Sequence, residues 1–429
     1  MYKIYDNEPF KYPKIIKYLI ILYIASTLIT ICNTYIARYL GGIAIYLIYY
    51  LPVFMIILNI FSYIVKKESY KYKYKIYIFS FLIFISIYFL NFQFISEKNG
   101  YEKLFLGIEF NINAFQLINI IPVFFISWYI LQKRDDNFNK KLVKIMIISL
   151  LINSILTLRV LYTYPLAAKI LATGISSGEQ YLLKGASGFD VLYSTVIFIP
   201  SLLFLISNLK GIKKIFLIVL LCILLVYIYN CAYATAILVT VITIFVYLFL
   251  NSNKIIKIFL FIPIILLGIF IINENAIYNL LIYFSNIINI EQVSIRFHDI
   301  ANMIKYSDTG ADSLSRLSLY MDSIKAFLIS PFIGVFYFEP NYQLSGHSTI
   351  LDILGGTGLI GFFSYICTII YSYKSSIKYI LNNRYRNCIF SSYIAFIFIS
   401  ILNPQFASPN VLIILLIIVP VAPSIIYKQ

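Results

Sequence analysis

Apolar runs of about twenty residues recur along almost the whole chain. A helix needs about 20 such residues to cross ~30 Å of hydrocarbon, and inside a bilayer only helices or closed barrels satisfy their own backbone. The runs do not alternate apolar with polar residues, which argues against a barrel. Of 429 residues, 61% are hydrophobic and only 12% charged, where a soluble domain carries roughly 25% charged. Mean hydropathy is +0.87. Soluble enzymes, disordered proteins and disulfide scaffolds are excluded.

The sequence therefore reads as an all-α polytopic membrane protein with about twelve transmembrane helices. They fall at roughly 15–37, 42–65, 76–95, 115–131, 143–162, 189–207, 215–230, 233–250, 256–273, 350–373, 388–403 and 410–427. The seventh and eighth share one long stretch broken only by Asn230-Cys231-Ala232-Tyr233. The polar residues 1–14 and the full-length first run do not resemble a cleavable signal.

Basic residues orient the spans. With the termini on one side, that side holds 24 of the 34 Lys and Arg but only five of the 18 acids. Both termini are expected to be cytoplasmic. The net charge of +16 then reflects topology and lipid headgroups rather than nucleic acid. Cys32, Cys222, Cys231, Cys367 and Cys388 show no metal or disulfide spacing. The cytoplasmic loops are too short for a nucleotide-binding domain and carry no phosphate-binding motif.

The outer face differs. Three units are expected: residues 1–273 with nine spans and outer loops 96–114 and 163–188, a large extracytoplasmic loop 274–349, and residues 350–429 with the last three spans. Loops this long usually carry function. Within the large loop, Leu314, Leu317, Met321, Ile324 and Leu328 recur at three- and four-residue steps, which predicts an interfacial amphipathic helix ended by Ser330-Pro331. The loop also holds the only two histidines, His298 and His347, with Arg296 and Arg316. Imidazole, with an ordinary pKa of ~6.5, suits a general base near neutrality. The guanidinium fork suits a phosphate or diphosphate. Two histidines without a carboxylate cluster do not suggest a metal site.

One segment resembles the core of the bacterial O-antigen polymerase and ligase family. It runs Ser315-Arg316, Tyr320, Ser330-Pro331-Phe332-Ile333-Gly334-Val335, Gly346-His347-Ser348, Leu351-Asp352-Ile353-Leu354 and Gly358-Leu359-Ile360-Gly361. The similarity covers residues 315–361, and twelve spans with a late large outer loop agree with it. Three features depart from the family pattern. Ser348 stands where the family has Asn after its His, Gly356 stands where an acid is frequent, and the arginine usual at the turn of the seventh–eighth hairpin is missing. Arg159 or Arg296 could replace it.

The resemblance implies a metal-independent, cofactor-free glycosyltransferase in the bacterial cytoplasmic membrane, polymerising polyprenyl-diphosphate-linked repeat units into O-antigen or capsule. It implies His347, Arg316 and Arg296 as catalytic residues and Arg159, Asp352 and Tyr320 as substrate-binding. Asp299, Asp352 and Glu339 are the alternative bases. The implied partners are lipid-linked glycans, membrane lipids, a flippase and a chain-length regulator. Two other readings stand beside this one: a ligase that transfers finished glycan to lipid A core or protein, and a lipid-linked oligosaccharide flippase.

Overall fold

The structure is a computed structural model. It describes residues 13–65, 75–91, 103–105, 108–110, 119–133, 135–172, 178–253, 255–257, 274–287, 294, 297–298, 301–302, 311–337, 342, 344–378, 380, 382–404 and 408–426. The chain is a helical membrane protein. Among the described residues, seven helices are long and apolar enough to cross a bilayer, or eight if a bent pair at the N-terminus is one span.

That pair is α1 (Lys14–Leu28) and α2 (Thr30–Leu40), which turn sharply at Ile29. The first expected span, 15–37, is thus broken. There follow α3 (Gly42–Val65), α4 (Lys75–Asn91), α5 (Ile121–Lys133), α6 (Asp136–Thr163), the short α7 (Ala167–Ala172) and α8 (Glu179–Leu183), and α9 (Phe189–Asn208). Next come α10 (Ile212–Asn230), α11 (Ala234–Asn251), α12 (Glu274–Ile287), α13 (Ala311–Ile329), α14 (Thr349–Ile377), α15 (Asn383–Leu402) and a C-terminal helix, α16 (Pro409–Ile425). The expected ninth span, 256–273, lies outside the described residues apart from its first two. A small antiparallel hairpin, β1 (Lys103–Phe105) with β2 (Ile108–Phe110), departs from the all-α expectation within loop 96–114.

Several helices outrun the hydropathy signal, because hydropathy marks hydrocarbon and not helix. The fifth expected span starts at 143, yet α6 starts at Asp136, where Asp135 caps it by accepting from Phe138 N at 2.9 Å. The eleventh, expected from 388, starts at Asn383 behind an Asn382 cap. The fourth goes the other way at its start: expected from 115, it begins at Ile121, after a turn at Asn119–Ile120.

The core sits around α9, most of which is buried; it packs on α10, α11, α15 and α16. In hydrocarbon every main-chain carbonyl needs a partner. Proline denies one to the residue four before it. In α16, Pro420 orphans the Leu416 carbonyl and Pro423 orphans that of Val419. Side-chain hydroxyls replace both donors: Ser127 donates to Leu416 O at 2.9 Å, and Tyr385 donates to Val419 O. The stretch before Pro420, Ile413–Ile418, is π-helical. Buried threonines in the spans turn their hydroxyls back to their own helix, as Thr195 does to Val191 O at 2.8 Å and Thr240 to Ala236 O at 2.7 Å.

Two ends of the bundle are distinct. At one, Lys17 of α1 pairs with Asp135, and Asn387 of α15 donates to Leu250 O at 3.2 Å. At the other, Thr349 donates its hydroxyl to Asn403 O at 3.1 Å, and Thr30 N donates to Asn153 Oδ1 at 3.3 Å. The residues considered next lie at this second end.

Candidate functional site

α13 ends where Pro331 follows Ser330, and a tight turn closes it: Gly334 N donates to Ser330 O at 2.9 Å with Gly334 at φ +80°. This turn inserts into a break in α14. Gly358 there has φ +61° and ψ −165°, so α14 is two half-helices rather than the single expected span 350–373. The N–H groups freed by the break are taken by the turn: Leu359 N donates to Pro331 O at 2.8 Å and Ile360 N to Phe332 O at 3.1 Å. No side chain fits between. A Cβ on Gly334 would stand 2.1 Å from Gly356 O, and one on Gly358 would stand 2.4 Å from the Phe332 carbonyl carbon. The Pro–x–x–Gly and Gly-Leu-Ile-Gly pieces of the sequence are thus one interlocked unit. Gly-Leu-Ile-Gly marks the start of the second half of α14, and the whole helix starts at Thr349, one residue before the expected 350.

The interlock fixes α13 against the first half of α14, and a polar cluster forms where they meet. Asp352 Oδ1 accepts from Ser323 Oγ of α13 at 2.7 Å and from Ser345 Oγ at 2.6 Å. The serines are themselves joined, because Ser345 N donates to Ser323 Oγ at 2.9 Å. His347 N then donates to Ser345 Oγ at 3.1 Å. Gly346, at φ +62°, turns the chain between them. Ser348 caps α14 by accepting from Leu351 N at 3.3 Å. Ser323, Ser345 and Ser348 are buried, while His347 and Asp352 are half-buried. The His347 ring lies within electrostatic reach of the Asp352 carboxylate. One turn before Ser323, Tyr320 donates its hydroxyl to Leu402 O at 3.4 Å.

His347, Asp352 and Tyr320 therefore come together. Arg316 lies on α13, one turn before Tyr320, with its side chain outside the described portion. Arg296, Asp299 and Glu339 lie outside the described residues. Arg159 is exposed on α6, which packs chiefly on α1, α10 and α16 and also touches α9, whereas α14 packs on α4, α13 and α15. His298 is exposed and shares a 3.0 Å hydrogen bond with Asn302. Ser323 and Ser345 carry the cluster and were not singled out from sequence. Their serine hydroxyls gave no signal of a carboxylate 29 and seven residues away.

Chemically, a carboxylate held by two hydroxyls beside an imidazole can orient that ring and stabilise the imidazolium formed when it takes a proton. Among the described residues, no group of three or more His, Cys, Asp or Glu is placed to hold a metal ion. No protein-family model matches this chain, and no curated protein sequence matches it significantly.

Proposed function

We propose that this chain is a glycosyltransferase that polymerises polyprenyl-diphosphate-linked repeat units at the outer face of the bacterial cytoplasmic membrane. In this reading the chain crosses the bilayer twelve times with both termini cytoplasmic. The Lys17–Asp135 end then faces the cytoplasm and the His347 end faces out. The observation that carries the reading is the Asp352–Ser323–Ser345–His347 cluster, built where α13, the helix bearing Arg316, meets α14. The resemblance over residues 315–361 supplies the substrate class.

No ATP is available at the outer face, so the bond energy must arrive with the lipid-linked donor. His347 takes the proton of the acceptor sugar hydroxyl. The oxygen bonds to the anomeric carbon of the donor as the bond from that carbon to the diphosphate breaks. The polyprenyl diphosphate leaves with the electron pair, and Arg316 and Arg296 stabilise its charge. Asp352 holds His347 in place.

The lipid-linked glycan profile of a deletion strain tests this. Accumulated single repeats support a polymerase. Finished polymer left on the lipid would instead indicate a ligase. A second reading, a lipid-linked oligosaccharide flippase, draws support from the discontinuous helices at Ile29 and Gly358; repeats trapped on the cytoplasmic face would favour it.

A further inference from the structure

A cavity of about 280 Å³ opens at the same end of the bundle as His347, away from the Asp352 cluster. Its polar lining comes from Thr27, Thr30, Asn33 and Thr34 at the α1–α2 break, Asp190 at the start of α9, and Asn410 at the start of α16. The break itself is closed. Asn153 donates to Leu28 O at 2.6 Å and accepts from Thr30 N at 3.3 Å, so those main-chain groups are occupied.

What remains toward the cavity is rich in acceptors. Thr34 donates its hydroxyl to Thr30 O at 2.9 Å, which leaves its lone pairs, whereas Thr27 donates to Tyr23 O at 2.7 Å and is also engaged by the Tyr49 hydroxyl. Asn33 gives its amide to Tyr49 Oη at 3.2 Å, which leaves its carbonyl oxygen. Asn410 Oδ1 is buried and accepts no hydrogen bond among the described residues. No described basic side chain pairs with Asp190, whose electrostatic neighbours are Tyr49, Tyr227 and Tyr233.

Such a lining repels phosphate and suits a guest with many O–H donors. The volume is near the lower end of the ~300–1,000 Å³ usual for small-molecule pockets. It matches a ring-sized guest, and a bare cation would leave most of it empty. We propose that the Asp190 cavity is a subsite for a hydroxyl-rich sugar ring of the lipid-linked glycan. The assignment rests on the glycan-polymerising function proposed above. It separates the roles of the two places: the diphosphate goes to the arginine-bearing loop, and a sugar of the same or the second repeat unit goes to Asp190. Asn403, whose carbonyl holds Thr349, is seven residues from Asn410. Extended chain of that length spans at most ~25 Å, a gap an oligosaccharide can bridge.

The test titrates purified protein in lipid nanodiscs with the repeat-unit oligosaccharide, released from its lipid by mild acid, by calorimetry. Wild type is expected to bind. Asp190→Asn and Asn410→Leu, on separate helices, are each expected to weaken binding tenfold or more with an unchanged melting profile. Wild-type affinity in either well-folded variant overturns the subsite. So does stabilisation by sodium over choline, lost in Asp190→Asn, without sugar binding; that pattern belongs to a cation site. If wild type binds no oligosaccharide the subsite also fails, and the deletion strain decides the rest. Trapped single repeats there keep the polymerase without this subsite, and an unchanged glycan profile removes both.

Discussion

Ser345 places its hydroxyl 2.6 Å from Asp352 Oδ1, and through that bond a loop residue two positions before His347 is fastened to the helix that follows it. Ser323 makes the same bond from the other side at 2.7 Å. Hydrogen bonds to a charged group contribute about 1.5–3 kcal/mol each. Ser345→Ala and Ser323→Ala are each expected to lower the melting temperature and shorten the polymer. The Ser323 hydroxyl also accepts from Ser345 N, and both hydroxyls share Asp352 Oδ1, so the double variant should lose less than the sum of the singles. Additive losses in a melting series would show that the cluster does not act as one unit.

Glycine positions separate packing from backbone strain. A methyl on Gly334 would meet Gly356 O at 2.1 Å, and the loop could not seat in the α14 break. Gly334→Ala is expected to cost more than about 4 kcal/mol and to abolish folded yield. Gly346 also has positive φ, at +62°, but nothing lies within 4 Å of a Cβ there. Gly346→Ala should cost only the ~1–2 kcal/mol of the left-handed conformation and remain foldable. Expression and melting of both variants check this; equal damage would contradict the interlock.

At the other end of the bundle, burial alone would raise the Asp135 carboxyl. The Lys17 ammonium and the Phe138 N–H outweigh burial and hold it below the ordinary 3.8. A carboxylate lower in the folded than in the unfolded protein stabilises the fold above its ordinary pKa. That contribution disappears as pH falls through the depressed native value. Asn can still cap α6 but carries no charge. Asp135→Asn should therefore lose up to about 1 kcal/mol at pH 7 and show a flatter pH dependence below about pH 4. Melting curves in detergent from neutral to acid pH measure it; parallel profiles would rule out the ion pair as a contributor.

These outcomes reflect what a sequence can carry. Long apolar helices were legible because hydrocarbon demands length and apolarity, and seven of them stand among the described residues; the helix at α13 was legible because helical spacing repeats locally. The break at Ile29 was not, since Leu28-Ile29-Thr30 is as apolar as a continuous span and only Asn153, 123 residues from Thr30, compensates it. The break at Gly358 was half legible: its glycines were visible, but the Pro331 and Phe332 carbonyls that fill it were not assigned there. Within the site, His347 and Asp352 stood out by residue type. Ser323 and Asp190 did not, because serine is common in these helices and a single acid at a span end resembles an interfacial anchor.

Arg316 stands one turn before Tyr320 on the helix that holds Ser323. A diphosphate ligand needs the two parallel donors of guanidinium, and a point charge does not replace them. Arg316→Lys is expected to be nearly as damaging to polymer as Arg316→Ala, at normal protein level. Full polymer in the lysine variant would leave Arg316 as a surface anchor. The same pair of variants at Arg296 and Arg159 shows which of them supplies the further positive charge. Arg159, on a helix with other neighbours than α14, is expected to tolerate both.

His347 carries the proposed chemistry. Its main chain is pinned by Ser345 Oγ at 3.1 Å, and its ring is within reach of the Asp352 charge. A general base contributes typically ~10²–10⁴-fold. His347→Ala should therefore insert and melt normally yet yield single or few repeats, while His298→Ala, at an exposed position, should do much less. Asparagine can imitate one imidazole hydrogen bond but cannot take a proton at neutral pH. Loss of polymer in His347→Asn indicates a base, and partial rescue indicates a positioning group. Acidification should slow the wild-type enzyme as imidazole becomes protonated, since the charged ring has no lone pair for the acceptor hydroxyl proton. The measurement is chain length and initial rate with lipid-linked repeats across pH. A well-expressed His347→Ala protein with wild-type chain length would end the base assignment and shift attention to Asp352, the carboxylate already held beside it.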